Sequence, residues 1–136
     1  MKLVAEANIL FSCLLRDGSS RRLWFDSDLT LYSPAYIIVE FLKHRSYLYK
    51  KYGGEKSEFD LLAEKALAQT TIVGDEPLKP YLSAAASLIT DSKDWLYLAC
   101  ALKENAAIWS NDKHFQTQKR VQVKTTAELF EEVLRE

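Results

Sequence analysis

What most constrains this chain is an alternation. Short apolar runs of strand length are each followed by a stretch with helical spacing. Leu3, Val4 and Ala5 end the first run, read as a strand over 2–5. Ile9, Leu10, Cys13 and Leu14 then recur at i, i+1, i+4 and i+5, the pattern of a helix with one buried face. Asp17-Gly18-Ser19-Ser20 breaks it, and a second short helix is expected from Arg21 to Asp26. Leu29 to Tyr32 reads as a strand. Ser33-Pro34 reads as a helix start, with a capping hydroxyl and a first-turn proline. That helix is expected to run through Ile37, Ile38, Phe41 and Leu42 to about Tyr52, where Gly53-Gly54 end it. A further helix is expected over 57–69 and a short strand at Thr71 to Val73.

The second half repeats the scheme. Pro77 and Pro80 punctuate a turn, followed by helices from Tyr81 to Leu88 and from Trp95 to about Glu104. Strands are expected at Ala106 to Trp109 and Val121 to Lys124. Thr125 and Glu128 have capping-box spacing at the start of the last helix. Such alternation implies an α/β architecture with a central, mostly parallel sheet. A length of 136 residues is the size of one domain, expected here over 1–136.

Composition excludes more than it selects. The net charge of −1 gives no global basic field, although a local patch suffices for nucleic acid. No apolar stretch approaches the roughly 20 residues of a membrane span, so no membrane role is expected. The start lacks the apolar core of a secretory signal. Cys13 and Cys100 both lie within apolar helical patterns, which suits buried, reduced thiols and a cytoplasmic location.

The chemistry-bearing residues are acids at element ends. Glu6 follows the first strand, and Asp112 follows the strand that begins near Ala106. Asp94 opens the helix leading into that strand, and Glu40 lies at the margin of an apolar helical face. Parallel sheets bind ligands beyond the carboxyl ends of their strands, so these acids can converge at one edge. Packed carboxylates repel and raise one another's pKa unless a cation neutralises them. Oxygen-rich clusters of this kind hold Mg²⁺ or Mn²⁺. Each acid also has an ordinary structural reading. Glu6 and Asp94 suit a helix N-terminus, Asp91 is a natural N-cap, Asp112 a turn residue, and Glu40 the edge of an amphipathic face.

The segments LVAEANIL, SPAYIIVEFLKH, DSKDWLYLACAL and IWSNDKHF stand in an order that resembles the PIN domain family across essentially the whole chain. The resemblance is strongest to stand-alone prokaryotic members, including toxin ribonucleases of toxin–antitoxin pairs. It implies a three-layer α/β/α fold and metal-dependent cleavage of single-stranded RNA at an acidic site. Motif by motif, the acids fall on Glu6, Glu40, Asp94 and Asp112, as catalytic metal ligands for Mg²⁺ or Mn²⁺. Asn8 and Ser110 match the accompanying polar residues, and Asp91 is an extra carboxylate beside the ligands. Glu6 stands where the family ordinarily has aspartate. Two readings therefore stay open: an active endoribonuclease, or a PIN-like module with an altered first ligand that binds RNA or a protein partner. An antitoxin protein and a second copy of the chain, forming a homodimer, are the protein partners implied. A response-receiver domain fits poorly, since it wants paired acids after the first strand.

Other residues read as structural. His44, between Lys43 and Arg45, is expected to be solvated, and His114 to be a turn residue. Lys113, next to Asp112, reads either as a phosphate contact or as a solvated lysine. Tyr47, Tyr49 and Tyr52, interleaved with Arg45, Lys50 and Lys51, suit base stacking, a packed helix surface or a subunit interface. Trp24, Trp95 and Trp109 are expected in the core.

Overall fold

The computed structural model describes residues 1–134. Five parallel strands form one sheet in the order β3-β2-β1-β4-β5. They are β1 (Lys2–Ala5), β2 (Thr30–Pro34), β3 (Thr70–Val73), β4 (Ala107–Trp109) and β5 (Val123–Lys124). The helices are α1 (Ala7–Leu15), α2 (Ser19–Trp24), α3 (Tyr36–Tyr52), α4 (Lys56–Ala68), α5 (Asp75–Leu88), α6 (Trp95–Glu104) and α7 (Thr126–Leu129). They cover both faces, giving the three layers implied by the sequence.

The central strand shows why its apolar run is unbroken. Leu3 pairs with Leu31 on one side and Ala107 on the other. Successive side chains point to opposite faces, so both faces of β1 must be apolar. Leu3 and Ala5 enter the core beneath α1 to α4, with Trp24, Phe41, Phe59 and Trp109. Val4 enters the opposite core with α5, α6 and Ile108. Trp24 is fully buried, its indole N–H donating to the Ala66 carbonyl at 2.8 Å.

The structure corrects several expectations. Ser33-Pro34 does not start α3. Both residues belong to β2, where Ser33 pairs with Ile72 and Pro34 with Val73. The buried Ser33 hydroxyl donates to the Ala5 carbonyl at 2.6 Å, so the inter-strand ladder claims the group expected to cap a helix. Pro34 ends the strand, where its missing N–H disturbs the ladder least. We predict that Ser33→Ala lowers stability by about 1–2 kcal/mol, measured by urea unfolding, because it strands a buried acceptor.

Pro77 and Pro80 lie within α5 rather than in a turn. Pro77 occupies the first turn, where its missing N–H has no intrahelical partner to lose. Pro80 does forfeit an internal hydrogen bond, on an exposed position, while Leu78 and Ala85 anchor the helix. The last strand is shorter than expected, with Val121 buried ahead of it.

His44 is half-buried: its ring packs on Phe11 at 5.5 Å and its Nδ1 lies 2.9 Å from the Glu40 carbonyl. Trp24 and Trp109 are core residues as expected, whereas Trp95 is half-buried and donates to the Ile89 carbonyl. Tyr49 and Tyr52 pack against Phe59, leaving only Tyr47 of the tyrosine series exposed. Gly53 ends α3 at φ +72°, a left-handed cap that glycine adopts without penalty. The expected capping box of Thr125 and Glu128 forms at α7. Among the described residues no helix is long and apolar enough to cross a membrane.

Candidate metal centre

The strand order places the site. From β1 the chain adds β2 and β3 outward on one side, then crosses to add β4 and β5 on the other. The two halves part between β1 and β4. A crevice opens there beyond the strand carboxyl ends, the usual ligand position in such sheets. Glu6 directly follows β1, its N–H donating to the Trp109 carbonyl at 3.3 Å. Ser110 and Asp112 directly follow β4. Glu40 comes from the second turn of α3, and Asp94 from the single 3-10 turn Ser92–Asp94 ahead of α6. Residues far apart in sequence thus reach one end of the sheet.

Hydrogen bonds hold this group in place. Glu6 is only 7% exposed. The buried Ser110 hydroxyl donates to Glu6 Oε1 at 3.3 Å and accepts the Asp112 N–H at 2.9 Å. Tyr97 donates its phenol to Glu40 Oε1 at 2.5 Å. Asp112 Oδ1 accepts the His114 N–H at 2.9 Å, and the His114 ring lies 3.6 Å away. Asp94 Oδ2 is buried without a hydrogen-bond partner among the described residues. A cleft of about 310 Å³ opens over Glu6 and Asp112, lined also by Asn8, Ser12 and Asn111.

The electrostatics are those of crowded acids. Burial pushes the Glu6 carboxyl up to about 7, and the charges of Asp112 and Glu40 push in the same direction. The Asn8 main-chain N–H and the Ser110 hydroxyl pull it down, although the former completes no helix-cap bond. Asp94 rises to about 6, again chiefly through burial, then through Asp91, Asp112 and Glu40, with His114 opposing. Burial and the neighbouring Glu40 also raise the Tyr97 phenol, keeping it a proton donor. Among the described residues no lysine or arginine forms an ion pair with Glu6, Glu40, Asp94 or Asp112.

All four acids read from the sequence are therefore electrostatically coupled in one site. Ser110 bridges two of them. Asn8 contributes its main chain, while its exposed side chain lines the cleft. Asp91 is the N-cap of the 3-10 turn, accepting from the Lys93 N–H at 3.0 Å. One ligand atom each of Asp91, Asp94 and His114 also lies within 4.8 Å of the others. Sequence reading missed Tyr97 as a partner of Glu40. Its signal was spacing: Tyr97 stands three residues beyond Asp94, on the same helical face.

The donor set fits a hard divalent cation. Carboxylate oxygens in a water-accessible cleft, one of them buried and unpartnered, are what Mg²⁺ or Mn²⁺ binds.

Comparison with known proteins agrees with the architecture. The PIN domain family matches residues 4–133, and the chain belongs to that family. A search of curated proteins finds no match. Among solved structures the chain is similar to VapBC2 from Rickettsia felis, determined bound to a DNA fragment from its promoter. That structure is 16% identical, with a TM-score of 0.69 over 92% of this chain and 98% of the other. The likeness shows the same fold at low identity.

Proposed function

We propose that this chain is a metal-dependent endoribonuclease that cleaves single-stranded RNA, acting as the toxin of a toxin–antitoxin pair. One observation carries the reading. Coupled carboxylates without a cationic lysine or arginine partner meet at the switch point of the sheet. Glu6, Glu40, Asp94 and Asp112 are the proposed ligands. A bound Mg²⁺ or Mn²⁺ supplies charge neutralisation at the scissile phosphate and a water of lowered pKa.

The chain's own residues orient that site. Ser110 ties the Glu6 carboxylate to the loop carrying Asp112. Tyr97 fixes one Glu40 oxygen and leaves the other free to bind. Asp91 adds negative charge beside Asp94. The cytoplasmic location is proposed on the two buried, free cysteines, and the antitoxin partner on the sequence resemblance and the likeness to VapBC2. A second copy of the chain is a further proposed partner. Val39 and Leu42, 56% and 60% exposed on α3, support it.

The test is cleavage of labelled single-stranded RNA, duplex RNA and single-stranded DNA with Mg²⁺ or Mn²⁺. Single-stranded RNA is expected to be cut fastest, and EDTA to stop the reaction. Binding of RNA and Mn²⁺ without cleavage of any RNA would replace this reading by the non-catalytic module. Tyr97→Phe is expected to weaken Mn²⁺ binding about tenfold by titration calorimetry, the usual effect of losing a group that orients a ligand. Unchanged affinity would make Tyr97 a packing residue only.

A further inference from the structure

The exposed stripe of α1 extends the acidic site. Asn8 and Ser12 stand at i and i+4 on α1, and Arg16 is the extended residue that ends the helix; all three are exposed. Ser12 lines the cleft over Glu6 and two more clefts beside it, of about 380 and 510 Å³. Asn8 joins the site to the larger one and Asn111 joins it to the smaller. Both reach Arg16 at their far ends. The acidic site thus continues into a branched groove that straddles α1 and ends at a cation.

Neither Arg16 nor Lys51, the cations along that groove, forms an ion pair among the described residues. Arg21, nearby, caps the end of α1 by donating to the Cys13 and Leu14 carbonyls at 2.8 and 3.2 Å. Arg16 has no ion-pair partner among the described residues. Lys51 lies 5.7 Å from the centre of the exposed Tyr47 ring and lines the larger cleft beside the half-buried Phe11 and Leu15. The smaller cleft carries Ser19 and Ser20. Hydroxyls, amides and spaced cations are the groups that contact phosphate and sugar, and an apolar floor beside a lysine suits a base.

We propose that this groove holds the backbone of a single-stranded RNA leading into the acidic site, with Arg16 and Lys51 gripping phosphates away from the scissile one. The proposal rests on the nuclease reading above. It assigns Arg16 and Lys51 as substrate-positioning residues outside the metal centre. Complementarity favours nucleic acid as the occupant: acids at one end bind a phosphate only through a cation, and the basic residues without ion pairs line the adjoining clefts, where flanking phosphates would lie.

The test is fluorescence anisotropy with a labelled oligouridylate in EDTA, where no cleavage occurs, across a salt series. Arg16→Ala is expected to weaken binding on the order of tenfold at low salt and to flatten the salt slope by about one. Lys51→Ala should act in the same direction, whereas Lys65→Ala, on α4 and outside these clefts, should not. In cleavage assays with Mn²⁺, Arg16→Ala should raise KM and leave kcat within about twofold. Parent-like binding and KM for Arg16→Ala and Lys51→Ala would overturn the groove while leaving the nuclease reading intact. Arg16-dependent binding by a parent that cleaves nothing would overturn the nuclease and keep the groove. Failure of the parent to bind the oligonucleotide, or tighter Arg16-dependent binding of polyglutamate, would overturn RNA as the occupant.

Discussion

Asp112→Asn is expected to lower RNA cleavage on the order of 1,000-fold, the scale seen when one transition-state charge contact is lost, and to leave the metal-free protein no less stable. The substitution is chosen for what it preserves. Asp112 Oδ1 accepts the His114 N–H at 2.9 Å, and an asparagine oxygen accepts it equally. The Asp112 N–H still reaches Ser110, because that bond uses the main chain. Only the charge is removed, and that charge raises the pKa of both Glu6 and Asp94. The measurement pairs single-turnover cleavage in Mn²⁺ with thermal unfolding in EDTA. A clear fall in metal-free melting temperature would make Asp112 a turn residue first. Unchanged cleavage would remove it from the ligand set.

The fold was legible because its signals are local. Leu3-Val4-Ala5 had to be buried on both faces, and Ile9, Leu10, Cys13 and Leu14 had to form one buried stripe, so element type followed from period. The failures occurred where tertiary structure overrode a local preference. Ser33 has the chemistry of a cap, but pairing with β3 kept β2 extended through Pro34. Pro80 reads as a breaker, yet packing of α5 against α6 outweighs one lost helical bond. His44 looked solvated among charges because nothing in its neighbourhood announces that Phe11 arrives from another helix.

The site divides in the same way. The positions of Glu6, Asp94 and Asp112 at element ends and of Glu40 on a helical face were visible in sequence, as was the family pattern that joins them. Their coupling was not visible, since it depends on the crossover that places β4 beside β1. The tertiary partner Tyr97 of Glu40 was correspondingly missed, whereas His114, two residues from Asp112, is the turn residue it reads as. Arg16 carries no pattern of its own. Its interest comes from the clefts that reach it.

Glu6 gives the largest expected effect of pH on stability. Its carboxyl titrates near 7 in the fold and near 4.5 as an unperturbed group. Between those values the unfolded chain has lost the proton that the folded chain retains. The unfolded state then binds fewer protons, so stability falls as pH rises. A shift of this size corresponds to a loss of about 3 kcal/mol of stability, complete above pH 7 and absent below pH 4.5. Asp94, raised from 3.8 to about 6, adds a fall of the same sign at lower pH. Glu6→Gln removes the ionisation and keeps an oxygen to accept the Ser110 hydroxyl. In EDTA it is expected to gain about 1–3 kcal/mol over the parent at pH 8 and little at pH 4.5, measured by urea unfolding at each pH. Saturating Mn²⁺ should reverse the order at pH 8, because a ligand stabilises the state that binds it in proportion to affinity. A parent whose metal-free stability is flat from pH 4.5 to 7 would mean that Glu6 is solvated and unperturbed. A Glu6→Gln protein stabilised by Mn²⁺ as strongly as the parent would instead leave the metal to Glu40, Asp94 and Asp112. Glu6 would then be an acid at the start of α1 with no part in binding.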